Sequence, residues 1–151
     1  ISLGHYRYVA VYLVSVLGGH TAIYLIADPF QSAWVSGTLG ASGGVFGLFA
    51  AMFIVNRQLG GQTAQILVLI ALNLVITFTI PGISWQGHLG GLVLGAAVTA
   101  GMFALRAKAT PGADRQALAR RSAFLHAAVI AAATVLCLVL IIVKTLMVMA
   151  L

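Results

Sequence analysis

An all-α, polytopic membrane helix bundle is the fold class this sequence predicts, and three observations predict it. Of 151 residues, 62% are hydrophobic and only 7% are charged, where a soluble domain carries about a quarter charged residues. The apolar residues gather into five long runs. Apart from Arg7 before the first run and Lys144 after the fifth, the basic residues fall at alternate junctions between those runs. Glu is absent, and Asp occurs only at positions 28 and 114. So few charges cannot make a water-facing surface, and the bilayer is the natural solvent for such a chain. The net charge of +6 is spread too thinly for nucleic acid. Cys137 stands alone, which excludes an intrachain disulfide, and no Cys/His cluster suggests a metal. No cofactor is implied.

The five runs are read in order. Tyr8 to Ala27 ends at Asp28-Pro29, a helix stop and turn. Gly40 to Val55 ends at Asn56-Arg57, and Thr63 to Ile80 is stopped by Pro81-Gly82. His88 to Leu105 ends in Arg106, and Ala123 to Val143 is followed by Lys144. Roughly 20 helical residues span the hydrocarbon core. The first and fifth runs meet that length, and the third and fourth lie near its lower limit. Ile1 to Ala10 shows no secretory signal. A first residue of Ile1 rather than Met predicts a start inside a longer protein.

Lys and Arg near helix ends stay cytoplasmic. Arg7 precedes the first helix, Arg57 follows the second, and Arg106, Lys108, Arg115, Arg120 and Arg121 lie between the fourth and fifth. The connections 28–39 and 81–87 hold neither Lys nor Arg. This alternation predicts a cytoplasmic N-terminus and an outer C-terminus. Residues 106–121, with Pro111-Gly112, are read as a basic cytoplasmic linker, and 122–151 as an additional transmembrane helix. Helix two is short, about 24 Å at 1.5 Å per residue. With its inner end fixed by Arg57, its outer end is expected below the membrane surface. The loop before it then dips inward, and irregular backbone at that depth needs burial or water. A water-filled cavity opening outward is expected there.

The start of helix two reads Gly40-Ala41-Ser42-Gly43-Gly44, and that of helix four reads Gly87-His88-Leu89-Gly90-Gly91. Both starts fall on the outer side, so Ser42 and His88 share one depth. Gly87, Gly91 and Gly95 recur on one face of helix four. On helix two, Gly40 pairs with Gly44, and Gly43 with Gly47. Small residues at this spacing let helix backbones approach closely in lipid. Proton transfer from serine to histidine needs such closeness, about 2.6–3.2 Å. A helix N-terminus adds free N–H groups and a positive dipole end, suited to an oxyanion. Taken alone, a serine among glycines is a packing residue and a membrane histidine is either functional or a satisfied interfacial group. Their shared depth beside two glycine seams favours chemistry.

These motifs resemble the rhomboid family of intramembrane serine proteases. Gly40-Ala41-Ser42-Gly43 is similar to its GxSG nucleophile motif, and the run His88 to Gly95 to its HxxGxxxG motif. Phe46 falls where the family has an aromatic residue under the histidine. The resemblance covers residues 1–105, a partial catalytic core of four helices that look like the third to sixth of six. It implies a Ser42/His88 dyad cleaving membrane proteins within or near a transmembrane helix. Gly40 and Ala41 would line the oxyanion site, whose donors are the backbone N–H of Ser42 and of Ala41. The family's first two core helices, with a histidine and asparagine that help form its oxyanion hole, have no counterpart here. The 151 residues alone are therefore expected to be inactive. The setting implied is a bacterial plasma membrane, with the site opening outward and the lipid bilayer and membrane-protein substrates as partners.

Two other classes stay open: an inactive rhomboid-like protein that binds membrane clients, and a small multipass transporter or structural protein. Transporters carry polar groups near the midplane, and these helices are nearly bare there. Of the remaining polar residues, His20 is read as packing near the cavity. Asn73 is expected to make an interhelical hydrogen bond. His126 is placed near the cytoplasmic end of helix five, at the interface, and Trp34 and Trp85 in the two outer loops, where aromatic belts are expected.

Overall fold

The computed structural model describes residues 4–30, 40–106 and 114–151. Trp34, Lys108, Pro111-Gly112 and most of the loop expected to dip inward lie outside the described residues. Five helices follow one another: α1 (Gly4–Ile26), α2 (Ala41–Gln58), α3 (Ala64–Thr79), α4 (Trp85–Ala104) and α5 (Arg115–Met149). No strand occurs among the described residues. Helices α1, α4 and α5 are long and apolar enough to cross a membrane, and α3 is a shorter apolar helix of 16 residues. The chain is an integral membrane protein by this architecture.

Chain punctuation does what its chemistry requires. Asp28 Oδ1 accepts from the Phe30 N–H at 3.0 Å and closes the turn after α1. After α2 the chain reverses at Gly60, whose φ of 74° is a left-handed value that suits glycine. Pro81-Gly82 stops α3, and Ser84 then caps α4, its Oγ accepting from Gly87 N–H at 3.2 Å.

Helix α4 is the centre, packed against α1, α2, α3 and α5. The apolar core joins Val11 and Val14 of α1, Ala51 of α2, and Val98 and Met102 of α4, with Val129, Ile130 and Ala133 of α5 against it. Glycine sets the closeness. A Cβ on Gly91 would collide with the backbone of Gly43, and one on Gly95 with that of Gly47. A Cβ on Gly19 would lie 2.6 Å from the Gly87 carbonyl oxygen. The outward faces of α3 and α5 expose Leu67, Val68, Leu72 and Val75, and Val135, Leu136 and Val139, a surface suited to lipid.

Three expectations are corrected. Helix α5 starts at Arg115, so the second half of the expected linker, 106–121, is helical. Asp114 caps it by accepting from Gln116 N–H at 2.8 Å, and polar residues then continue the helix beyond the apolar run. Trp85 is the first residue of α4 rather than a loop residue, because Ser84 supplies the cap. Asn73 bonds within its own helix, to the Leu69 carbonyl at 2.8 Å.

Candidate active site

Ser42 lies in the first turn of α2, and His88 in the first turn of α4, one turn after the Ser84 cap. The Gly43–Gly91 contact brings these two helix starts together. His88 Nε2 lies 2.8 Å from Ser42 Oγ, across 46 residues of chain. His88 is 9% exposed, whereas Ser42 is exposed. The hydroxyl is thus reachable from outside the bundle while the ring is held within it.

Two further side chains fix that ring. Phe46, one helical turn after Ser42, stacks on it with centroids 4.3 Å apart and planes 18° from parallel. Thr77, near the end of α3, places its Oγ1 2.6 Å from His88 Nδ1. The Thr77 hydroxyl also donates to the Asn73 carbonyl at 2.7 Å. Thr77 is buried, and sequence reasoning did not single it out. A threonine on an apolar helix commonly back-bonds to its own carbonyl a turn earlier, and nothing in its spacing reveals a histidine beside it.

The other sequence-selected residues divide between two contacts. Gly43, Gly91 and Gly95 lie in the α2–α4 seam, and Gly87 turns its carbonyl toward Gly43 and its α-carbon toward Ile23 of α1. Gly40 and Gly44 face α1. A Cβ on Gly44 would lie 2.6 Å from Tyr12 Cε2, and one on Gly40 would strike the His20 ring. Gly43 and Gly47 lie between both neighbours: a Cβ on Gly43 would lie 2.8 Å from the Gly87 carbonyl oxygen of α4 and 3.6 Å from the Gly19 α-carbon of α1, and one on Gly47 would strike Ser15 of α1 and lie 2.9 Å from the Gly91 carbonyl oxygen. His20 sits beside the Gly40–Ser42 segment, exposed, with Nδ1 donating to the Val16 carbonyl at 2.9 Å.

Gly40 is the N-cap of α2 and provides no side-chain cap, while the Gly43 N–H bonds the Gly40 carbonyl at 3.2 Å. Ala41 and Ser42 are the first two residues of α2, where backbone N–H groups are not paired by the helix itself. At the opposite end of the bundle, His126 Nε2 donates to the Met102 carbonyl at 2.9 Å and ties α5 to α4.

Fold and site together define a polytopic membrane protein with an exposed serine and a buried histidine paired at one end of its bundle. The chain belongs to the rhomboid family: the family model described as Rhomboid domain matches residues 2–105. It is similar to Rhomboid protease GluP of Bacillus subtilis (strain 168), 33% identical over 115 residues, covering 73% of this chain and 20% of that protein. The chain thus spans only a fifth of the length of that curated relative. No solved structure matches it.

Proposed function

We propose that Ser42 and His88 are the nucleophile and the base of a serine endopeptidase that cleaves transmembrane segments of membrane proteins. The observation that carries this reading is the 2.8 Å approach of His88 Nε2 to Ser42 Oγ. Family membership and the similarity to a protein named as a rhomboid protease support it. His88 Nε2 takes the hydroxyl proton as Ser42 Oγ attacks the scissile carbonyl. The negative charge on the carbonyl oxygen meets the N–H groups of Ser42 and Ala41 at the positive end of α2. His88 then gives its proton to the leaving amine, and an acyl group remains on Ser42. Water, deprotonated by the same ring, releases it. We place this site at the outer face of the membrane, on the alternation of basic residues, and in a bacterial plasma membrane by analogy with the relative.

The test is cleavage of a transmembrane substrate by the full-length protein. Ser42→Ala is expected to abolish cleavage, and His88→Ala to do nearly the same, because members of such a unit act together. Undiminished proteolysis by Ser42→Ala would end the reading.

A further inference from the structure

We infer that Thr77 is a positioning residue that locks His88 in the tautomer able to act as a base; the inference rests on the function proposed above. A neutral imidazole carries one proton, on either Nδ1 or Nε2. Only the Nδ1–H form leaves a lone pair on Nε2 to receive the Ser42 proton. The Nε2–H form would donate to Ser42 Oγ and block the reaction.

Thr77 Oγ1 makes two contacts, 2.6 Å to His88 Nδ1 and 2.7 Å to the Asn73 carbonyl oxygen. A hydroxyl has one proton, and a carbonyl can only accept. Both contacts are hydrogen bonds only when Thr77 donates to Asn73 and accepts from His88. The Nδ1 atom must then hold the proton. The resulting order is Ser42 Oγ–H to His88 Nε2, His88 Nδ1–H to Thr77 Oγ1, and Thr77 Oγ1–H to the Asn73 carbonyl. Thr77 is 3% exposed, so bulk water does not compete readily for its oxygen. No carboxylate is needed: a backbone carbonyl on α3 sets the direction through one hydroxyl. The site thus depends on three helices, with α3 supplying the orienting group for a base on α4 and a nucleophile on α2.

The experiment uses the full-length protein with imidazole nitrogens labelled by 15N, His88 being assigned by its loss in His88→Gln. Thr77→Val keeps the branched shape and removes the hydroxyl, whereas Thr77→Ser keeps the hydroxyl. Thr77→Val is expected to lower kcat about 10-fold, the order of one net hydrogen bond, with KM unchanged. Its His88 signals should move from a protonated Nδ1 and bare Nε2 toward the reverse pattern or an average. Thr77→Ser should restore both readouts. Wild-type kcat and an unmoved Nδ1–H signature in Thr77→Val would overturn the inference. So would a loss that Thr77→Ser fails to rescue, since packing of the methyl would then be what His88 requires. Failure of the underlying protease reading appears separately, as cleavage that survives Ser42→Ala. The nitrogen signature needs no turnover and tests the tautomer lock in either case.

Discussion

A serine hydroxyl in water is a weak nucleophile, and the surroundings of the His88 ring are what would change that. Ser42 lies at one ring nitrogen, Thr77 at the other, and Phe46 covers a face. The ring therefore has little freedom to rotate out of line. Phe46→Leu keeps bulk but loses the stack, worth about 0.5–1.5 kcal/mol for an aromatic pair. Steady-state kinetics should show kcat reduced severalfold, with the fold intact by circular dichroism. Acidification should also stop cleavage, because a doubly protonated His88 has no lone pair for the Ser42 proton. A pH–rate profile that stays flat through the histidine range would contradict a histidine base. Ser42, His88 and Phe46 were legible in the sequence because each lies at a fixed offset within a motif. Thr77 was not, because its partner depends on how α3 is rotated against α4, which no local pattern encodes.

Among the elements, α2 and α4 carry the arrangement through backbone contact. Gly91 touches Gly43 so closely that even one methyl meets carbonyl and α-carbon atoms, which cannot move aside as a side chain can. Gly91→Val should cost more than the about 1–3 kcal/mol usual for overpacking, and should part Ser42 from His88. Thermal unfolding and cleavage assays should both register it. Gly101→Ala is the control: its new methyl would lie 3.1 Å from Val129 Cγ1, a side-chain atom that can give way. The recurrence of glycine every fourth residue announced this seam. It did not reveal that the Gly40/Gly44 pair faces α1, because assigning a helix face needs the neighbours' positions. The start of α5 was missed because basic residues after Arg106 suggest a water-exposed linker, yet Arg and Ala favour helix once Asp114 supplies the cap. Asp114→Ala should loosen that first turn by about 1 kcal/mol, seen as faster amide exchange at Gln116.

Across the whole molecule, the start of α1 faces α5 about two to three turns into that helix, at Arg7, Ala123 and His126, and the end of α2 faces the start of α1 near Asn56 and His5. Met102, near the end of α4, joins the same end through His126. Ser42, His88 and His20 lie at the other. This grouping follows the alternation of basic junctions along the sequence, and the charge rule assigns the basic end to the cytoplasm. With Cys137 replaced, cysteines introduced at Gly82 and Gly60 should be labelled from outside and from inside, respectively. The reverse would invert the proposed orientation. The central claim is that His88 activates Ser42 for acyl transfer, and a fluorophosphonate reads that activation directly, since it bonds covalently to a serine made nucleophilic by its base. On the full-length protein, mass spectrometry should find the adduct on Ser42, and labelling should vanish in Ser42→Ala and collapse in His88→Ala. An adduct on another residue, or labelling of Ser42 that persists undiminished without His88, would contradict the account.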